Sequence, residues 1–411
     1  MSDVIVIGGG PAGSTVAALV AEAGHNVQLF ERENFPRFSI GESLMPDTYW
    51  TFKRLGVLDK LKASAFPRKH SVQFFGKSGR GSAPFYFSDN NPHESSVTWQ
   101  VQRGKFDLML LDNARDKGAE IHQGARVLEV LFDGDRAIGV RAKLADGQSQ
   151  DFTAPIIVDA TGQSALIGRK LKITEPEAQL NKASIYTHYS GGRRNECKDE
   201  GATLLLHTDN GDSWFWYIPL PDDIVSVGVV GAIDYLVQGR KEDAQTIFEQ
   251  ELAKCAPMQE RLQHAEQLMP AKTTKDFSYR ASRTAGEGWV LVGDAFCFLD
   301  PMYSSGVYLA LKSGEMAADA IIDAITKGDF SAEQLGGFSP ELLRGTEAVR
   351  KMVYAFYSKD FNFGEFLKRY PDCKQGVIDV LSGNLFSEHV EPIFGPMGEM
   401  CELPNDITLT G

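Results

Sequence analysis

The chain opens on an uninterrupted β-branched run, Val4-Ile5-Val6-Ile7. Its lack of alternation predicts a strand covered on both faces, as in a parallel sheet. Glycines follow, and then Val16, Leu19 and Val20 fall on one face of a helix that stops at Gly24. His25 to Glu31 reads as a second strand, so the first 31 residues form one βαβ unit. Aromatic, alternating segments such as Val72-Gln73-Phe74-Phe75 occupy about 70–100. Phe106, Leu110, Leu111 and Ala114 predict a helix over about Lys105 to Lys117, ahead of a strand at Ala119-Glu120-Ile121. Strand–turn–strand patterns run on to Ile156-Ile157-Val158. Residues 180–232 then read as a second, antiparallel sheet and 242–265 as helix. Trp289-Val290-Leu291-Val292 predicts a strand that leads through a glycine turn into a long helix over Val307–Lys327, and the remainder reads as mostly helical. Strands of one type thus lie at both ends of the chain, with another sheet between them.

At 411 residues the chain is long enough for two or three domains of roughly 150 residues each. Hydrophobic residues at 43% and charged residues at 24% describe an ordinary globular protein and exclude a disordered, fibrous or disulfide-stapled one. The net charge of −13 would repel a phosphate backbone or an anionic bilayer, which argues against nucleic-acid and membrane-surface binding. Five scattered cysteines with no CxxC pair point to reduced thiols rather than a disulfide framework or a zinc site. The histidines show no HxxxH or His/Cys spacing, so no metal is expected. The start, Met1-Ser2-Asp3, lacks the basic region of a signal peptide, and no apolar run reaches the roughly 18 residues that a membrane span needs. The expectation is a cytoplasmic protein with no membrane span.

Gly8-Gly9-Gly10-Pro11-Ala12-Gly13 satisfies GxGxxG after a strand and at the opening of a helix, where a dinucleotide site requires it. Gly8 permits the tight turn, Gly10 lets backbone approach a pyrophosphate, and Gly13 lets the helix pack close to the sheet. The helix N-terminus offers free N–H groups and partial positive charge to the anion. Glu31 ends the second strand, where a carboxylate accepts ribose hydroxyls and disfavours a 2′-phosphate. Two later segments favour FAD over NAD. Val158-Asp159-Ala160-Thr161-Gly162 and Leu291-Val292-Gly293-Asp294-Ala295 are strands running into acidic turns, the second followed by Pro301 and a helix start at Ser304-Ser305-Gly306. That helix start would stabilise the negative charge of a reduced flavin. A strand-end Asp is often only a cap; two of them beside the glycine motif read as a cofactor site.

With Gln102-Arg103 ahead of a helix, these segments resemble the flavoproteins built like p-hydroxybenzoate hydroxylase. The resemblance implies that Arg103 approaches the FAD phosphates and Asp294 the ribityl chain. A sharper resemblance lies within it. Trp214-Phe215-Trp216-Tyr217-Ile218-Pro219 matches WxWxIP, which resembles the signature of flavin-dependent halogenases. Read blandly it is an aromatic core strand, with Trp214, Trp216 and Ile218 on one face and Phe215 and Tyr217 on the other. Three further segments resemble the same family: Arg37 to Pro46, with Gly41, Glu42 and Ser43, beside the flavin; Asp300 to Tyr308 as a halide loop; and Phe356 to Gly364, similar to halogenases of phenols or pyrroles.

The resemblance implies an α/β plus antiparallel β fold. A FAD-binding unit in three segments (1–75, 101–170, 276–330) would be interleaved with a substrate domain (76–100, 171–275) and followed by a helical C-terminal part (331–411). Arg32 and Val307 join the implied cofactor contacts, and the backbone of Ser305 and Gly306 would hold chloride or bromide. Reduced FAD, supplied by a separate flavin reductase, would with O2 convert halide into hypohalous acid. Trp214 and Trp216 would keep an organic substrate away from the flavin, so that the small oxidant must travel to a separate pocket. There a lysine is required, to form a chloramine or to polarise the acid by a hydrogen bond. Phe66-Pro67-Arg68-Lys69 has the family's Phe-x-x-Lys spacing and nominates Lys69, with Lys77 in reserve and a solvated surface lysine as the bland reading. Ala65 and His70-Ser71 depart from the family pattern. The expected substrate is a small electron-rich aromatic, free or bound to a carrier protein. A carrier, itself acidic, would need a basic surface such as Arg193-Arg194 on this acidic chain. A FAD-dependent monooxygenase or polyprenyl-type reductase is the alternative on the same fold.

Overall fold

A computed structural model describes residues 2–275 and 278–409. Strand β1 (Val4–Ile7) is buried at all four positions. Helix α1 (Pro11–Glu22) begins with Pro in its first turn, where a missing N–H costs nothing. It ends one residue short of the Gly24 stop, and β2 (Val27–Glu31) returns parallel to β1 with Val4 opposite Val27. Strand β3 (Arg68–Lys69) is followed by β4 (Ser71–Phe75) and β5 (Thr98–Trp99); β5 pairs with β3 and puts Thr98 opposite Lys69. Helix α2 (Arg103–Asp116), β6 (Glu120–Gln123) and β7 (Ile156–Asp159) complete the first half. Next come β8 (Lys182–Ser190), β9 (Thr203–His207), β10 (Ser213–Pro219) and β11 (Ile224–Ala232). Strand β12 (Trp289–Leu291) returns the chain to the first sheet, and α3 (Ser305–Lys327) and α4 (Ser339–Tyr357) lead into the helical C-terminal part.

The first sheet runs Ala285–Gly286, β12, β7, β1, β2, β6, parallel except for its short first strand. The chain crosses from β1 to β2 on one side and reaches β7 on the other, so β1 stands at a switch point, the place where open α/β sheets bind ligands beyond their carboxyl ends. The turns after β1, β7 and β12 all open there. In the second sheet β8, β11, β10 and β9 pair antiparallel in that order, and β4 joins β9 in parallel. The interleaved α/β and antiparallel fold expected from the sequence is the fold observed.

Alternation decides which side of the second sheet meets which core. Trp214, Trp216 and Ile218 belong to the large core shared with the first sheet. Phe215 and Tyr217 pack in a separate core beneath the helices Ala244–Leu252 and Ala256–Leu262. Two expectations are corrected. The boundary at residue 75 does not divide the sheets, because β4 already belongs to the second one, where its aromatic residues have a face to bury. The 242–265 helix is two helices, the second starting afresh with Pro257 in its first turn. The strands within 180–232 pair antiparallel as expected, and β4, from outside that span, joins β9 in parallel. Among the described residues, no helix is long and apolar enough to cross a membrane.

Candidate active site

A cleft of about 760 Å³ opens at the carboxyl edge of the first sheet and continues to the wall of the second. Its floor is the glycine turn. Gly8 has φ +107°, and a Cβ there would lie 2.3 Å from the Ala160 carbonyl oxygen; a Cβ on Gly13 would lie 2.0 Å from the Gly8 oxygen. These two glycines are therefore needed to bring β1, α1 and the turn after β7 together. Gly10 is different: only the Arg37 guanidinium, at 3.6 Å, approaches its added Cβ, and the residue faces the cleft with Ala12. No side chain caps the start of α1, which leaves its first N–H groups to an anion.

Glu31 lines the cleft, its carboxylate fixed by the N–H groups of Gly9 (2.7 Å) and Glu33 (2.8 Å). Arg103 grips Asp107 through Nε (2.8 Å) and Nη2 (3.0 Å) and donates to the Ile40 carbonyl, while Arg37 holds the same Asp107 at 3.0 Å. Most of the Arg103 donors are thus engaged by protein, and Arg37 is the cation over the glycine turn. Asp294 faces the cleft with no side-chain hydrogen bond among the described residues; burial pushes its pKa up to about 6 against the attraction of Arg103. Arg32, Gly41, Glu42, Ser43, Gly162, Pro301, Gly306 and Val307 also line the cleft. The residues fit FAD: a bare helix start and an open glycine for the pyrophosphate, a fixed carboxylate at the end of β2 for the ribose, and an unsatisfied acceptor at Asp294 for ribityl hydroxyls.

Five nominated residues do not line this cleft: Gly13, Asp159, Ser305, Lys69 and Trp214. Asp159 is a correction. Its carboxylate accepts from Thr161 N–H (3.0 Å), Thr161 Oγ1 (2.7 Å) and Ile167 N–H (2.7 Å), so it builds the turn whose backbone, from Ala160 to Gly162, forms the wall. Ser305 is buried as the first residue of α3, while Gly306, next in the chain, lines the cleft.

Lys69 lies behind the cleft wall. It is 2% exposed, and Nζ donates to Ser43 Oγ and to the Leu44 carbonyl, each at 2.9 Å, with the Phe87 ring centroid 5.6 Å away. Among the described residues no carboxylate pairs with it. Burial alone lowers its pKa from 10.5 to about 7. The reserve candidate, Lys77, packs over Gly211 at the far end of β4, away from this cleft. Trp216 stands in the wall with Leu205 and Ile218, its indole N–H on Ser226 Oγ (3.1 Å). Trp214 is set deeper, donating to the Tyr357 hydroxyl (3.2 Å), which in turn donates to Asp300 (3.0 Å) beside the turn that starts α3.

Several polar residues near the site were not nominated from the sequence. Thr203 lines the cleft and bonds Ser43 Oγ (2.8 Å), and Gln100 donates to Thr203 (2.8 Å). Thr203 stands before Leu204-Leu205-Leu206, where a polar residue opening an apolar run is a usable signal. His188 Nε2 lies 2.8 Å from Glu42 Oε1. Among the described residues no three metal-ligating side chains come together.

The family described as FAD binding domain matches residues 1–347. A 1H-pyrrole-2-carbonyl-(peptidyl-carrier protein) chlorinase of Pseudomonas fluorescens is 31% identical over 409 residues, covering 94% of this chain and 90% of the relative. The corresponding brominase of Pseudoalteromonas luteoviolacea is 32% identical over 387 residues, covering 93% and 92%. Among solved structures, a flavin-dependent brominase matches with a TM-score of 0.86 at 28% identity, over 97% of this chain and 98% of that one. The myxobacterial chondrochloren halogenase matches with a TM-score of 0.82 at 31% identity, over 100% and 99%.

Proposed function

Because this chain belongs to the flavin-dependent halogenases, we propose that it halogenates an electron-rich aromatic acyl group, of pyrrole or phenol type, presented on a carrier protein. It is a FAD-dependent halogenating enzyme; the substrate and the residue roles below are our reading. When bound, FAD in its reduced form supplies, with O2, the oxidising power that turns chloride or bromide into hypohalous acid. Reduced FAD comes from a separate reductase.

The protein's own work is binding, exclusion and transfer. The amides at the start of α1 hold the pyrophosphate, Glu31 the ribose and Asp294 the ribityl hydroxyls. The backbone N–H groups of Ser305 and Gly306 at the start of α3 hold the halide, since an anion at a helix N-terminus needs no cationic side chain. Trp216, backed by Trp214, narrows the cleft on the side of the second sheet, which keeps an aromatic guest from the flavin.

Lys69 meets the oxidant. Its neutral amine attacks the halogen of hypohalous acid: the N–halogen bond forms, the O–halogen bond breaks, and the departing hydroxide takes the ammonium proton to become water. The aromatic carbon then takes the halogen, the N–halogen bond breaks, and the ring loses a proton. In the second form open to the same amine, a hydrogen bond from Lys69 polarises the acid without covalent transfer. The observation that carries the reading is a lysine 2% exposed, unpaired with any described carboxylate and joined to the cleft wall through Ser43. Incubation with FAD, a flavin reductase, O2 and bromide should add one bromine mass to a pyrrolyl or phenolic acyl-carrier, only when halide is present. Absence of a halide-dependent mass increase on carrier-bound and free aromatics alike sinks the proposal.

A further inference from the structure

Lys69 is the end of a buried hydrogen-bonded row that reaches the cofactor cleft. Four side chains from four distant segments meet there: Ser43 after the first long loop, Lys69 on β3, Gln100 after β5 and Thr203 at the head of β9. The backbone pins them in place: Ser43 and Gln100 form a β-bridge, Leu44 N–H bonds the Trp99 carbonyl (3.1 Å), and Gln100 N–H bonds the Pro67 carbonyl (2.9 Å). All four are at most 4% exposed. The row runs from Lys69 Nζ to Ser43 Oγ (2.9 Å) and on to Thr203 Oγ1 (2.8 Å). Gln100 Nε2 donates to Thr203 Oγ1 and to the Gly201 carbonyl, both at 2.8 Å.

Counting donors fixes how the row works. A Gln amide nitrogen only donates, so Thr203 Oγ1 is an acceptor towards Gln100; Lys69 donates to Ser43. Between Ser43 and Thr203 one hydroxyl donates to the other, and the pair is left with one O–H that has no acceptor among the described residues. Both residues line the cleft, which is where that remaining O–H is offered.

We propose that Ser43 and Thr203 are positioning residues that pass a proton between Lys69 and the cleft, and so set the amine in its neutral, reactive form. This rests on Lys69 being the amine of the reaction. The Lys69 ammonium gives its proton to Ser43 Oγ, Ser43 gives its own hydroxyl proton to Thr203 Oγ1, and Thr203 gives its own to water in the cleft. One proton leaves, each hydroxyl is restored, and nothing is oxidised or reduced. Among the described residues no other charged group faces the amine. Arg68 and His70, its chain neighbours, point to the opposite side of the strand with Tyr49, Glu94 and Trp99, and Glu42 is held by His188. Leu44, Phe87 and Thr98, from the other segments packed against it, carry no charge.

Ser43→Ala severs the row, because it removes the one hydroxyl that Lys69 touches, and Ser43→Thr restores that hydroxyl. With Lys69 titrating near 7, the relay matters where the amine starts protonated. Halogenation by Ser43→Ala at saturating FAD should fall by about tenfold or more at about pH 6 and by less than about twofold at about pH 9, with Ser43→Thr close to wild type at both. The melting temperature of each variant reports folding; where Ser43→Ala does not fold, the same pH profile is measured on Ser43→Gly with Ser43→Thr as its rescue. A loss equal at all pH values, or no loss, overturns the relay. Lys69→Ala is run beside them: if it still halogenates, the amine assignment has failed; if it is inactive and the Ser43→Ala loss is uniform, the relay alone has failed.

Discussion

Lys69 shows what burial does to a single cation. Removed from water and given two neutral acceptors, its ammonium loses most of its solvation, and the pKa drops to about 7. That drop is also a statement about stability. The folded pKa is below the unfolded value of 10.5, so between about 7 and 10.5 the unfolded chain holds more protons and stability rises with pH; below about 7 the cost is fully present. Each tenfold loss of proton affinity is worth about 1.4 kcal/mol, so burying the amine costs a few kcal/mol. Lys69→Met should therefore raise the melting temperature by several degrees at about pH 6, with the difference fading by about pH 10. An unchanged melting temperature at pH 6 would show that the amine is solvated. Lys69 was nominated because Phe66-Pro67-Arg68-Lys69 resembles the family's Phe-x-x-Lys segment. Thr203 and Gln100 were not nominated: their partnership joins segments up to 160 residues apart, although Thr203 at the head of an apolar run gave a local signal. Asp159 was visible and misread: a carboxylate at a strand end met three donors of its own turn before it could meet a ligand.

At the scale of elements, the aromatic strand, the turn before α3 that we propose holds the halide and the C-terminal helix are tied by one hydroxyl. Tyr357, the last residue of α4, accepts from Trp214 on β10 and donates to Asp300, 2% exposed and raised to about 6 by burial. The second acceptor bond at Asp300 comes from Met302 N–H (2.9 Å), inside the turn itself. Tyr357→Phe leaves the Trp214 N–H and one side of the carboxylate without partners, each a buried polar group. It should cost about 1–3 kcal/mol in stability and raise the KM for halide by roughly threefold or more, because the turn that precedes α3 loosens. Unchanged halide saturation would separate the turn from the helix. The alternation of 214–218 was legible, since each residue's face followed from a period of two. Strands β3 and β5 were not, because two residues carry no period; only their mutual pairing and the loop from Ser43 make them strands.

For the whole molecule, interleaving is the means by which one cleft touches the glycine turn, the Arg37–Ser43 loop, Arg103, the Trp216 strand and the start of α3. The net charge of −13 bears on the partner. Arg194 is turned inward to the Leu220 and Ile224 carbonyls, so of the pair the sequence suggested only Arg193 faces solvent, its charge offset by Glu260 at 2.7 Å. Repulsion between two acidic proteins is screened beyond about 8 Å at physiological salt. The kcat/KM for a carrier-bound acyl group should therefore rise between low and physiological ionic strength, while that for a free neutral aromatic stays level. A fall with salt would reveal a basic docking surface.

In the proposed mechanism the oxidant made at the cleft reaches the aromatic ring only through the amine behind its wall. Lys69→Ala, assayed with reduced FAD, O2 and bromide, tests it by measuring hypohalous acid trapped by a free thiol alongside brominated product. Trapped oxidant at close to the wild-type rate, with no brominated aromatic, is the expected result. Regioselective bromination by Lys69→Ala at the wild-type rate would contradict it.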